Sequence, residues 1–338
     1  MRDVAARAGV SPRTVSNVVS GYVHVSDDTR RRVQAAIEEL RYRPNVSAQS
    51  LRQGRTGIIA LAVPEIAAPY FAELADLVQQ AASARGVTLL VDQTAASRER
   101  ENLVLEGYQA NLIDGLLLSP MALTAADLQS RAPQIPTVLL GERIGASGGL
   151  LHVTMDNVAA AREATEHLLT QGRRRIAAVG ADLAVDNLGP ALRRIAGYRE
   201  ALAQAGLPAT PELEVHTDGW SHRSGYAAVD AFLAGGTPVD AMFCCNDVLA
   251  MSAIRAVQAH GLRVPDDIAI VGWDDIAEAA FVTPALTTVR PDKAAIAQTA
   301  VDRLLALVNG GSSTGGQVTC GYELVVRESC GGAGPAAT

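Results

Sequence analysis

The sequence predicts an α/β protein: a three-helix head containing a helix-turn-helix, a short helix after it, and two doubly wound parallel-sheet subdomains that face each other. Three observations carry this. The first forty-odd residues hold two short helical stretches joined by a tight turn, then a third helix and a proline stop. From Gly57 onward short apolar runs alternate with amphipathic helices, the pattern of parallel sheets covered on both faces. Charge is also divided: residues 1–55 hold ten arginines against five acids, a charge of +5, which leaves −12 for the rest of a chain whose formal net charge is −7. A basic head suited to phosphates and an acidic body describe a DNA-binding switch with a sensor attached.

In "RDVAARAGVSPRTVSNVVSG", Val4, Ala5 and Ala8 form the inward stripe of a first helix. Gly9 follows, where a left-handed residue ends that helix at low steric cost. Ser11 is a good N-cap for a second helix, and Pro12 is pre-organised for its first position. Val15 and Val18 share one face. Arg13, Thr14, Ser16 and Asn17 are left outward near the helix start, where a recognition helix brings polar groups to base edges in the major groove. "VSDDTRRRVQAAIEELRYRPN" supplies the third helix, and its Arg30–Arg32 run reads as a solvated helix start. Beyond Pro44, Asn45 can cap a helix of about two turns through Arg52 that Gly54 ends, too short to be stable alone in water. Its apolar Val46, Ala48 and Leu51 therefore need a partner helix, a groove, or both.

In the body, "GIIALAVP", "VTLLVD", "DGLLLSP", "IPTVLLGE" and "LLHVTMD" read as strands, with "PYFAELADLVQQAASARG" and "RERENLVLEGYQAN" as helices between them. After the helix "NVAAAREATEHLLTQG", "RRIAAVGA" starts a second series that runs to "DIAIVGWDD". In such sheets ligands sit at the carboxyl ends of strands, so two facing series place a ligand in the cleft between them.

A chain of 338 residues with 48% hydrophobic and 19% charged content has room for two or three globular domains. No run of about 18 apolar residues is present, so no membrane span is expected. Met1 runs almost directly into Val4 without a signal peptide, which points to the cytoplasm. The four cysteines lack zinc-type spacing, and Cys244–Cys245 sits in an apolar run and reads as buried. Lys293, the chain's one lysine, does not follow a glycine, so there is no Walker A loop. With no nucleophile elbow, metal motif or dinucleotide loop, neither an enzyme nor a cofactor is expected.

The chain is poor in aromatics, yet Tyr70, Phe71, Trp220, Trp273 and Phe281 all fall at predicted strand ends or just after them. Arg194, Asn246, Asp247, Asp274 and Asp275 are the polar candidates beside them. Aromatic faces against a sugar's C–H face, with carboxylates and amides on its hydroxyls, would use this set. Each aromatic can equally serve the core. Asp247 and Asp275 can equally cap the helices that follow them.

The segments "DVAARAGVSPRTVSNVVSG", "VSDDTRRRVQAAIEELRYRPN", "AQSLRQGRTG", "PYFAEL", "TEHLLTQGRRRIA", "RIAGYREAL", "NDVLAMSAIRAVQAHGLRVPDDIAIVGWDDI", "TPALTTVRPD" and "ELVVRES" resemble, in order, the LacI/GalR family of bacterial transcription regulators. The resemblance spans essentially the whole chain. It implies a head over 1–43, a hinge helix and linker over 44–55, and a core over 56–330 like the periplasmic sugar-binding proteins. In that core the chain is expected to cross between subdomains near Met155–Asp156, Thr283–Ala285 and Gly315–Thr319. The N-subdomain would then take 56–155 and 286–314, and the C-subdomain 156–285 and 315–330, leaving 331–338 as a flexible tail.

The resemblance also implies roles. Pro12, Arg13 and Asn17 occupy base-reading positions, Ser11, Thr14 and Ser16 face phosphates or bases, and Leu51 wedges into the minor groove at the operator centre. Tyr70, Phe71, Arg194, Trp220, Asn246 and Asp274 are the implied effector contacts. A homodimeric repressor on a palindromic operator, released or fastened by a small molecule and needing no cofactor or membrane, follows. Departures from the family pattern also matter. Met1-Arg2 leaves no threonine cap for the first helix, and Asn17 stands where arginine or histidine is commoner. Leu188 and Pro190 fall where some members place polar effector contacts, which favours a sugar over a purine.

Overall fold

The computed structural model of the chain describes residues 1–19, 22, 24–42, 55–107, 112–130, 133–141, 149–181, 190–312 and 315–332. The expectations for the hinge helix, Leu51, Leu188 and the tail beyond residue 332 lie outside the described residues. The chain forms two units, Met1–Gly57 and Ile58–Thr338.

The head consists of α1 (Arg2–Ala8), α2 (Pro12–Val19) and α3 (Asp27–Glu39) around a small core of Val4, Val15 and Val33, all fully buried. α1 begins at Met1 with no side-chain cap. It ends in the glycine motif its sequence foretells: Gly9 has φ 63°, its N–H reaches Ala6 O, and the Val10 N–H reaches Ala5 O. Arg32 of α3 closes the same terminus, donating to Ala8 O at 2.5 Å and Gly9 O at 3.3 Å. One member of the arginine run read as merely solvated is thus a structural cap. Ser11 caps α2 through the Thr14 N–H at 3.1 Å. Ser26 caps α3 through the Thr29 N–H, with Asp27 and Asp28 in the first turn favouring the helix dipole.

Among the described residues the body has two six-stranded sheets. The first holds β1 (Ile58–Val63), β2 (Thr88–Gln93), β3 (Gly115–Leu118), β4 (Thr137–Leu140), β5 (Leu151–Met155) and β11 (Gly316–Cys320), all parallel, in the order β11-β5-β4-β3-β1-β2. Buried on both faces, β3 and β4 read as continuous apolar runs, while β2 at the edge exposes Leu90 and Val91. Ile59, Leu61 and Val63 meet Leu74 and Val78 of α4 (Pro69–Ser83) and Ile296, Val301 and Leu304 of α11 (Lys293–Val308). Ala60 and Ala62 point the other way, to Val104 and Leu105 of α5 (Arg98–Leu105) and Leu128 of α6 (Ala125–Ser130).

The second sheet holds β6 (Ile176–Val179), β7 (Glu214–Val215), β8 (Ala241–Cys244), β9 (Ala269–Trp273), β10 (Thr287–Pro291) and β12 (Tyr322–Val325), in the order β12-β10-β9-β8-β6-β7. All its pairs are parallel except β10 with the edge strand β12. Two helix pairs pack with it: α7 (Asn157–Thr170) with α8 (Pro190–Gln204), and α9 (His222–Ala234) with α10 (Asp247–Ala259). Gly197 lets α8 approach α7 closely, since a Cβ there would run into the Val158 carbonyl.

Among the described residues the chain crosses between sheets three times, each through a single residue: Asp156 from β5 to α7, Asp292 from β10 to α11, and Gly321 from β11 to β12. Two of these differ from expectation. Pro284 does break the chain, but Thr287–Pro291 then returns to the second sheet, pairing Thr287 with Val271, so the crossing lies at Asp292 and not at Thr283–Ala285. Gly316–Cys320 pairs with β5 in the first sheet, which moves the last crossing from Gly315–Thr319 to Gly321. The subdomain boundaries expected at 286 and 315 shift accordingly. The aspartates also cap the helices they open, Asp156 through the Ala159 N–H and Asp292 through the Ala295 N–H.

Candidate nucleic-acid interface and cleft site

At the start of α2, Ser11, Pro12 and Arg13 are exposed, while Thr14, Ser16 and Asn17 are half-buried. Val15 and Val18 turn into the head core on the opposite face. The helix therefore offers its first turn, where N–H groups and the positive dipole end lie, as a polar surface beside an arginine.

In the second subdomain Trp220, Trp273 and Asp274, from the residues predicted at strand ends, gather around Arg194 of α8. Its guanidinium carbon lies 4.2 Å from the Trp273 ring centroid and 5.5 Å from that of Trp220, and it donates to the Cys245 carbonyl. Trp220 is half-buried, just ahead of a capping box at Ser221 that starts α9. Trp273 is fully buried and packs edge-on to Phe243, so it is a core residue that also floors the arginine. Phe281 is 87% exposed after a short turn at Ala277–Ala280, and the core does not claim it.

Asn246 caps α10 through the Leu249 N–H at 2.8 Å. Asp247, the next residue, does not cap: fully buried, it accepts from the Ile276 N–H at 2.9 Å and Thr288 Oγ1 at 2.5 Å. Burial and the neighbouring Asp274 push its carboxyl well above the usual range. Asp275 is likewise no cap, since Arg290 Nε at 2.5 Å and Arg327 Nη2 at 2.7 Å hold its carboxylate. Asp274 is 8% exposed. Burial pushes its carboxyl up to about 7, Arg194 and Lys293 pull it back, and Glu73 adds to the rise.

From the first subdomain, α4 brings Tyr70 and Phe71, half-buried and edge-to-face at 5.1 Å. One turn further on, Glu73 accepts from the Ala277 N–H at 2.8 Å. Glu73 and Lys293, which sequence reasoning passed over, thus face the Asp274 turn. Lys293 had one visible signal: the single lysine of the chain stands just past a strand end. An open cavity of about 450 Å³ lies beside the crossings, lined by Leu77, Asp275, Arg290, Lys293 and Tyr322 among others.

Comparison with known proteins matches residues 1–45 to "Bacterial regulatory proteins, lacI family" and residues 165–330 to "Periplasmic binding protein-like domain". The HTH-type transcriptional repressor PurR of Erwinia tasmaniensis is 36% identical over 310 residues, 90% of this chain and 89% of that one. The chain belongs to the lacI family of bacterial regulatory proteins. A lac repressor dimer bound to operator and the anti-inducer ONPF is similar in structure, with TM-score 0.86, 30% identity, and 97% of this chain and 98% of that one covered. So is the transcriptional regulator CelR in its cellobiose complex, with TM-score 0.72, 33% identity, and the same two coverages of 97% and 98%. As a lacI-family member the chain is a DNA-binding transcriptional regulator and not an enzyme. Among its described residues no helix is long and apolar enough to cross a membrane.

Proposed function

We propose that this chain is a homodimeric repressor of the cytoplasm that binds a two-fold-symmetric operator and is controlled by a sugar in the cleft. In this reading Pro12, Arg13 and Asn17 read bases, with Ser11, Thr14 and Ser16 on phosphates or bases and Leu51 in the minor groove. Tyr70, Phe71, Arg194, Trp220, Asn246 and Asp274 contact the effector. The observation that carries the ligand half is Arg194, held over Trp273 and beside Trp220 with Asp274 within reach of its charge. An aromatic plane next to a fixed cation and a carboxyl suits a polyhydroxylated ring. The similarity to CelR in complex with cellobiose supports a sugar, and the similarity to a repressor named PurR makes nucleobases the natural competitors.

Two measurements on the full chain test this. Selection from a random double-stranded library is expected to enrich a two-fold-symmetric consensus, because dimer symmetry is mirrored in the site. An asymmetric consensus would contradict the dimer reading. Both tryptophans of the chain flank Arg194, so their emission reports on the cleft. A panel of sugars and nucleobases is expected to give a sugar that shifts emission and changes affinity for the selected site. A nucleobase response alone would overturn the sugar assignment.

A further inference from the structure

The turn after β9 has a backbone its residues do not favour. Asp274 sits at φ 111° and Asp275 at φ 45°, two consecutive residues with side chains in the left-handed half of conformational space. Such a shape persists only where its surroundings over-determine it. Part of the hold comes from the turn's own subdomain. The Asp274 N–H donates to Val289 O at 2.9 Å, the Asp275 N–H to Thr288 Oγ1 at 3.4 Å and the Ile276 N–H to Asp247 Oδ2 at 2.9 Å.

The rest comes from the other subdomain. Lys293 Nζ donates to Asp274 O at 2.9 Å and to Asp275 O at 3.1 Å. It also pairs with Glu73, whose second oxygen takes the Ala277 N–H at 2.8 Å. Lys293 opens α11 and Glu73 lies on α4, and both helices pack on the first sheet. The lysine side chain is only 11% exposed, which separates this pair from a solvent-screened surface bridge. A flexible stem with three donors can serve one carboxylate and two carbonyls together, which a planar guanidinium fork cannot.

We propose that Lys293 and Glu73 are positioning residues: they latch the first subdomain onto the Asp274–Ala277 turn and so set the Asp274 side chain for a ligand in the cleft. The second half of that statement rests on Asp274 facing the cleft ligand, as proposed above; the latch does not. When the subdomains part, the turn loses Lys293 and the acceptor of the Ala277 N–H and keeps the bonds from its own subdomain. Cleft closure and the geometry of Asp274 are then one event, with no relay needed between them.

Hydrogen exchange on the ligand-free full chain tests the latch. Amides in 274–281 are expected to exchange at least about tenfold faster in Lys293→Met and Glu73→Ala than in wild type, while α7 amides are unchanged. Lys293→Arg keeps the charge but not the three-way geometry and should fall between. Should either variant unfold, Lys293→Gln and Glu73→Gln are near-isosteric replacements expected to act in the same direction. Wild-type exchange of 274–281 in the folded variants overturns the latch. Carbon-13 NMR of the Asp274 carboxyl gives the second reading: its midpoint should rise in Lys293→Gln and fall in Glu73→Gln. The groups facing it are Arg194 from α8, Lys293 from α11, Glu73 from α4 and Asp247 from α10. An unmoved midpoint in both variants overturns the positioning role. Neither reading uses a ligand, so a silent sugar and nucleobase panel leaves the latch standing, and a failed latch leaves the panel result standing.

Discussion

Asp274 is a buried carboxyl among two cations and two other carboxyls, and burial prevails: its proton is held up to about 7 against an ordinary value of 3.8. The folded state therefore binds this proton more tightly than the unfolded state. The stability it contributes is fully present below about pH 3.8 and is lost as pH rises through about 7. Asp274→Asn, uncharged throughout, should gain in melting temperature relative to wild type between pH 4 and 8, with the gain levelling off above about 7. Parallel pH curves for the two proteins would show that Asp274 does not titrate in this range. At this scale the sequence was informative about identity and poor about role. It placed both tryptophans at strand ends, but whether a strand-end ring lines a cleft or fills a core depends on the neighbouring strand. Phe243 of β8 decides that for Trp273. Asp247 and Asp275 were equally ambiguous, because their partners Ile276, Thr288, Arg290 and Arg327 come from other elements.

The head shows how much of an element can be legible. The glycine stop of α1, the serine cap of α2 and the inward valines all follow from local chemistry and are present in the structure. Arg32 could not be read that way, since its acceptors Ala8 and Gly9 lie on another helix. Its capping of α1 carries a prediction. Arg32→Ala should destabilise α1 by about 1–2 kcal/mol, the value of a charged group's hydrogen bonds to carbonyls. Gly9→Ala should lose a similar amount from its left-handed φ of 63°. The two should not add, because a Cβ at position 9 would lie 3.0 Å from Arg32 Nη2. Exchange rates of α1 amides in the single and double variants measure this, and strict additivity would mean the contact carries no energy. The crossings were the least legible elements. A single residue has no length signal, whereas Pro284 and the Gly315–Gly316 pair look like breaks and draw attention to the wrong places.

For the whole molecule the charge division was plain from the sequence, and it sets how the chain should meet DNA. A head at +5 on a chain at −7 overall confines phosphate contact to one end. Affinity for a random duplex should fall steeply with salt, with a log–log slope of about −0.9 per phosphate neutralised. Arg13→Ala, a change at a base-reading position, should leave that slope nearly unchanged and cost about 1–3 kcal/mol on the selected site, with specificity relaxed at one position. A slope that the Arg13 change flattens by about one unit would place that side chain on the phosphate backbone instead.

The three one-residue crossings have a mechanical consequence. Asp156 and Asp292 are each pinned between a strand end and a helix they cap, and the Asp292 N–H is bonded to the Gly321 carbonyl. The body is therefore joined like a door on three knuckles set along one edge. Such a joint leaves rotation cheap and makes sliding or stretching expensive. Whatever moves these two halves, the chain's own carpentry restricts them to a swing.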